Sequence, residues 1–236
     1  IAAGAMISSG LFVLPALAYR HCGPSLIVAY FVAGLLMIPS VLSQSELLTA
    51  MPKAGGAYYF IERSFGPFLG IFGGLASWFS LSLKSAFALI GIGAFLEYVL
   101  PGVYGSQGDF IVKLVAACCC VLFVLINILS LKTSARFQTI MVFCLLIICA
   151  AYIIAGLKDI TTAHFTPFFT SMTGPFTLHS FFYVVGLVFV SYGGLTQIAS
   201  IAEETQRPAK TIPLGMLLAF IIVQILYVLC VAVTVG

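Results

Sequence analysis

The sequence predicts an all-α polytopic membrane protein, and three observations carry that prediction. Hydrophobic residues make up 62% of the chain and charged residues only 7%, where a soluble domain carries roughly 25% charged residues. Apolar runs recur that reach the length of about 20 residues needed to span a bilayer as a helix. Short polar clusters separate those runs.

The runs place spans at about 1–19, 25–50, 66–99, 110–131, 137–157, 178–203 and 212–236, all within one transmembrane unit covering 1–236. The first and last lie flush with the chain ends, with no initiator methionine and no charged flank, so the chain is expected to be a fragment. Between spans lie the charges that set orientation. Lys53 and Arg63 separate the second and third spans, Lys132 and Arg136 the fourth and fifth, and Arg207 and Lys210 the sixth and seventh; Arg20, Lys113 and Lys158 occupy the other side. Six against three in short loops predicts that the first group is cytoplasmic, with the N-terminus on the same side. The expected location is the plasma (cell inner) membrane, multi-pass.

The net charge of +3 is small and spread among loops, which points away from nucleic acid and from an acidic partner. Seven cysteines, including the run Cys118, Cys119 and Cys120, sit mostly inside apolar spans without the paired spacing of a metal or redox site. They read as small hydrophobes in the bilayer. A membrane-embedded enzyme would need a nucleophile with a base, or a metal cluster, within the spans, and no His/Asp/Glu constellation of that kind occurs. The protein is therefore not expected to be an enzyme, and no cofactor or metal is expected.

The stretch GAMISSGLFVLP, residues 4–15, is the first sign of a site. Ser8, Ser9 and Gly10 fall near the middle of the first span, with Pro15 beyond. Glycine costs about 1 kcal/mol against alanine in a helix, and serine competes for backbone hydrogen bonds. Small residues also let a neighbouring helix pack closely. A break is favoured because a second span repeats the feature: FVSYGGLTQ, residues 189–197, puts Ser191, Gly193 and Gly194 inside the sixth span. Irregular backbone survives in hydrocarbon only where it is buried in protein or lines a cavity. Two interrupted spans, five helices apart and of opposite orientation, are the signature of an inverted-repeat transporter with its site at the midplane. Such breaks expose N–H groups at the start of one half-helix, favourable to an anion, and carbonyls at the end of the other, favourable to a cation. A zwitterion fits between them.

These residues also resemble a known family. GAMISSGLFVLP is similar to the first-helix signature of the amino acid–polyamine–organocation (APC) permeases, usually G-x-x-I-G-S-G-I-F. MPKAGGAYYFIERSFGP (51–67) resembles that family's P-x-A-G-G-x-Y loop, SLKTSARFQ (130–138) its fourth loop, and FVSYGGLTQIASIAEETQRPAKTIP (189–213) its sixth helix and following loop. The resemblance covers almost the whole chain. It implies a LeuT-like inverted-repeat fold, truncated to the first five-helix repeat plus helices six and seven, and an amino acid permease working by symport or antiport with H+ or Na+ as possible coupling ion. It further implies that the N–H groups of Ser9 and Gly10, with Ser8 nearby, hold the substrate carboxylate, and that the carbonyls of Met6, Val190 and Gly193 receive its amino group. Tyr192, Leu195 and Thr196, which flank the Gly193-Gly194 break, would then select the side chain together with residues of the third helix. Ser8 stands where the family usually has glycine. Some proton-coupled members carry a lysine in the fifth helix, where Leu145 lies here, which puts that coupling route in doubt.

Lys84 is the basic residue well inside a span, where a charge costs at least about 2.5–3.5 kcal/mol unless it meets water or a partner. Coupling, lining of a cavity and a structural, snorkelling role are all open to it. Glu203 and Glu204 precede Arg207 and Lys210 and are candidates for a cytoplasmic latch; a solvated loop is the simpler reading. Glu46 and Glu97, at span ends, read as interfacial, with gating as the alternative, and His21, His164 and His179 as capping or solvated. Trp78 could line the third-helix wall of the pocket, but membrane tryptophans more often anchor at interfaces or pack against neighbours, and it is left out of the site. MPKAGGAYYF reads either as a loop that closes the inward pathway or as an ordinary tight turn. The predicted partners are a small amino acid, with a neutral side chain preferred because no acidic residue lines the expected pocket, and the lipid bilayer. Polyamine transport, or a sensor that binds without transporting, would leave the same sequence.

Overall fold

The computed structural model describes residues 2–7, 9–51, 53, 55–99, 108–129, 131–158, 160, 165–170, 176–205 and 208–236. The side chains of Ser9, Glu97, Lys132, Leu195, Thr196, Glu203 and Glu204 lie outside that description, as do Ser8, His164 and Arg207 entirely.

The first span is built in pieces. Ala2–Met6 (α1), Ser9–Phe12 (α2) and Leu14–Cys22 (α3) follow one another, with the interruptions at Ile7 and Val13. Pro15 falls in the first two positions of α3, where its missing N–H has no intrahelical acceptor to lose. A 3-10 turn at Gly23–Ser25 then reverses the chain, with Gly23 at φ +55° and Ser25 Oγ donating to the Cys22 carbonyl at 2.6 Å.

The helix α4, Leu26–Ala50, carries Pro39 in its interior. A short helix, α5, occupies Gly56–Phe65, in the stretch read from sequence as a loop or tight turn. Its ends are set by Gly55 at φ +133° and Gly66 at φ +91°, conformations that glycine alone adopts without steric cost. Helices α6 (Pro67–Val99), α7 (Gly108–Leu129) and α8 (Leu131–Gly156) follow. Gly70, Gly73 and Gly74 of α6 face Glu62, Ile61 and Tyr58 of α5, which lets the two helices approach closely.

The sixth span differs from the simple unwinding expected. Helix α9, Leu178–Ser191, starts at Thr177, whose hydroxyl accepts from the Ser180 N–H at 3.1 Å. At Tyr192 the backbone tightens into a 3-10 helix of 13 residues, Tyr192–Glu204. Such helices rarely exceed 3–4 residues, and a long one inside a span marks strain or a hinge. The last helix, α10, runs Pro208–Val235.

Among the described residues five helices are long and apolar enough to cross a membrane, and Phe110–Ile126 forms a shorter apolar helix. The core gathers around α4, which packs against α9 and α10, while the short α1 lies against the 3-10 helix and α10. Tyr30, Tyr192 and Tyr227 are its largest fully buried side chains.

Candidate functional site

The two interrupted segments meet. A side chain at Gly194 would overlap the Ala5 carbonyl and come within 2.6 Å of the Met6 nitrogen. A side chain at Gly10 would overlap that of Ser191, whose own hydroxyl donates to the Val188 carbonyl at 2.6 Å. Glycine is required at both places because backbone from the first span approaches the sixth to contact distance.

Three tyrosines support this junction from behind. Tyr227 Oη of α10 donates to the Met6 carbonyl at 2.7 Å, and Tyr30 Oη of α4 donates to the Gly10 carbonyl at 2.8 Å. Tyr192 Oη donates to Gln224 Oε1 at 2.6 Å, and Gln224 Nε2 donates to the Tyr30 carbonyl at 3.4 Å. The rings pack edge-on or tilted, with centroids 5.7 Å apart for Tyr30 and Tyr227 and 5.1 Å for Tyr192 and Tyr227. Carbonyls freed by the break in the first span thus find donors, as backbone in a dry interior must.

In front of the junction lies a cleft of about 1220 Å3, lined by Gly10, Ser191, Val190, Gly193 and Gln197 on one side and by α6 on the other. That exceeds the range of about 300–1,000 Å3 usual for ligand pockets, in keeping with an open mouth. From α6 come Ser77, Trp78, Ser80, Lys84 and Phe87, and Gly55, Gly56 and Tyr58 line it from the loop and α5. Lys84 sits at the middle of the 33-residue α6, and its ammonium donates to the Ala5 carbonyl at 3.3 Å.

Of the residues expected to hold substrate, Gly10, Val190 and Gly193 line the cleft, and the Val190 side chain is 72% exposed. Gly194 is buried against α1 instead. Met6 is buried, with its carbonyl already accepting from Tyr227. A carbonyl oxygen has a second lone pair, so a further donor is compatible with that bond. Tyr192 differs from its expected role: it is fully buried, and its phenol points to Gln224, not into the cleft. The reason is its register on the 3-10 turn, which directs it toward α4 and α10 while Gly193 faces the opening. Backbone for Ser9, Leu195 and Thr196 is helical; what their side chains do, like those of Glu203 and Glu204 and like Ser8 as a whole, falls outside the described residues.

Sequence reasoning passed over Tyr30, Gln224 and Tyr227, and it set aside Trp78. The signal was available for the first three, since a hydroxyl or amide inside an apolar span needs a partner. Trp78, left out of the site because membrane tryptophans more often anchor at interfaces or pack against neighbours, stands in the cleft wall beside Ser77, the other reading open to it. The seven cysteines are all free thiols, and among the described residues no group of three His, Cys, Asp or Glu could hold a metal.

Comparison with known proteins gives matches along the full chain. The amino acid permease family profile matches residues 1–236. The branched-chain amino acid permease BcaP of Lactococcus lactis subsp. cremoris (strain MG1363) is 29% identical over 250 residues, covering 99% of this chain and 53% of that protein. The b(0,+)-type amino acid transporter 1 of Mus musculus is 30% identical over 240 residues, 97% of this chain and 48% of that protein. The cystine/glutamate transporter of Homo sapiens is 28% identical over 235 residues, 96% of this chain and 46% of that protein. The chain spans about half the length of these curated relatives.

Proposed function

Because this chain belongs to the amino acid permease family, we propose that it is part of a secondary active transporter that moves amino acids across a membrane by alternating access. The substrate zwitterion is held where the interrupted first and sixth spans meet. Its carboxylate lies at the N–H groups of Ser9 and Gly10, since the first N–H groups of a helix have no partner within it. Its amino group lies at the carbonyls of Met6, Val190 and Gly193. Ser8, Leu195 and Thr196 complete the contacts, and Glu203 and Glu204 close a cytoplasmic latch with the basic residues that follow.

One observation carries the reading: Gly194 against Ala5, and Gly10 against Ser191, bring both breaks to one wall of a single cleft. Tyr30, Tyr192 and Tyr227 tie α4 and α10 to that wall. This supports rocking of a bundle made of the first, second, sixth and seventh spans against the remaining helices. Burial of Tyr192 supports counting it with the bundle, with side-chain selection falling to α6 together with Leu195 and Thr196. Most of the relatives are named for amino acid transport and differ in substrate, from branched-chain residues to cystine and glutamate, and one is named a methylthioribose transporter.

The excess of Lys and Arg between the second and third, fourth and fifth, and sixth and seventh spans supports a cytoplasmic N-terminus in the plasma membrane. The test is uptake of labelled amino acids into proteoliposomes containing the full-length protein, with and without proton and sodium gradients. Uptake abolished by Gly10→Trp is expected. Binding without flux would replace transport by a sensing role, and neither binding nor flux would overturn the reading.

A further inference from the structure

The proposed zwitterion contacts do not use Lys84, and its placement names a substrate class. Among the described residues lining the cleft, Lys84 is the one charged side chain. It lies at the middle of α6, where an ammonium without a partner is costly. Its one hydrogen bond among those residues is the 3.3 Å contact to the Ala5 carbonyl, at the seam where Gly194 abuts the first span. An ammonium has three donors, so that contact anchors the head group and leaves capacity for a ligand.

Its surroundings on α6 are polar in a directional way. Ser80 and Ser77 precede Lys84 by four and seven residues and line the same cleft, so the three form one stripe along the helix face. Ammonium and hydroxyls together offer donors to an acceptor with two oxygens. The cleft lining contains no carboxylate among the described residues. Glu62, on the adjoining α5, is hydrogen-bonded to Tyr58. The uncompensated positive charge therefore faces whatever fills the cleft, and a like charge there would be repelled.

Building on the transport reading above, we propose that Lys84 makes the site selective for amino acids whose side chain ends in a carboxylate. The breaks hold the zwitterion, and the side-chain carboxylate lies along the Lys84–Ser80–Ser77 stripe. This replaces the neutral preference drawn from the sequence: that preference rested on the lack of an acidic residue, which excludes cationic side chains but does not weigh a lysine that reaches the cleft. A charge-assisted hydrogen bond in such a site is shorter and stronger than a neutral one.

The experiment compares glutamate with glutamine, and aspartate with asparagine, as competitors of labelled uptake by the full-length protein in proteoliposomes, in wild type, Lys84→Gln and Lys84→Arg. Wild type is expected to favour the acid over its amide. Lys84→Gln is expected to lower that ratio on the order of ten- to a hundredfold, the span of a lost charged hydrogen bond, acid uptake falling more than amide uptake; Lys84→Arg is expected to keep the preference. Wild type that transports amides but rejects acids would overturn the proposal while leaving amino acid transport intact. An equal loss of acid and amide in Lys84→Gln would also overturn it, assigning Lys84 to the α-carboxylate or to the fold. If wild type neither binds nor transports any amino acid, the transport reading falls and this proposal with it. The wild-type ratio decides without relying on the variant folding.

Discussion

Gly193 and Gly194 are adjacent and identical in sequence, yet the structure predicts opposite responses to one added methyl group. An ideal Cβ at Gly193 meets nothing within 4 Å, whereas at Gly194 it overlaps the Ala5 carbonyl and stands 2.6 Å from the Met6 nitrogen. Neither glycine has a positive φ, so backbone strain does not enter. Replacing glycine by alanine at a compatible position gains about 0.4–1 kcal/mol by restricting the unfolded chain. Overpacking costs about 1–3 kcal/mol, and the upper part of that range applies where the opposing atoms are backbone and cannot rotate away. Gly194→Ala should therefore lower stability by about 1–2 kcal/mol net, and Gly193→Ala should raise it by about 0.5 kcal/mol.

The assay is thermal unfolding of each variant in detergent, followed by loss of the monodisperse peak, alongside amino acid binding. Gly193 lines the cleft, so its variant can lose binding without losing stability, which makes stability the decisive readout. Gly194→Ala should lose both. Equal stabilities, or a less stable Gly193→Ala, would refute the claim that the first and sixth spans touch at Gly194.

Tyr227→Phe removes the donor to the buried Met6 carbonyl while keeping the ring that packs on Tyr30 and Tyr192. The expected loss is about 0.6–1.7 kcal/mol, the range for hydrogen bonds between membrane helices, with weaker substrate binding measured by isothermal titration; unchanged stability and binding would contradict a supporting role. The phenol of Tyr58 on α5 is raised above its ordinary value of 10.0, chiefly by its hydrogen bond to Glu62. Raised in the folded state, it contributes stability that is present below pH 10.0 and is lost as pH climbs through the folded value. Glu62→Gln should bring the phenolate absorbance transition back toward 10.0 in an ultraviolet titration.

The sequence by itself determined the class. Apolar runs of spanning length between basic loops require helices in a bilayer, because no other open structure satisfies its backbone there. It also pointed close to the first interruption, although the backbone breaks at Ile7 and again at Val13 while Ser9 and Gly10 are helical, and it marked where the sixth changes character, at Ser191 and the glycines after it. Local chemistry sufficed for these features. It did not show that the sixth span tightens into a 3-10 helix, nor that residues 56–65 form a helix of their own between two positive-φ glycines.

Only the tertiary structure decided which side chains face one another. Tyr227 meets Met6 across 221 positions, Tyr192 meets Gln224 across 32, and Lys84 meets Ala5 across 79. The same rotation buried Tyr192, which its neighbours in sequence had placed in the site, and brought Trp78 and Lys84 to the cleft. The physical reason lies in the helices themselves. A soluble helix shows its inward face as an apolar stripe, whereas a membrane helix is apolar on every side and carries no stripe to orient it. Rotation about its axis is then fixed by close packing at glycines such as Gly10, Gly34 and Gly194 and by a few buried hydrogen bonds, and those partners are scattered along the chain.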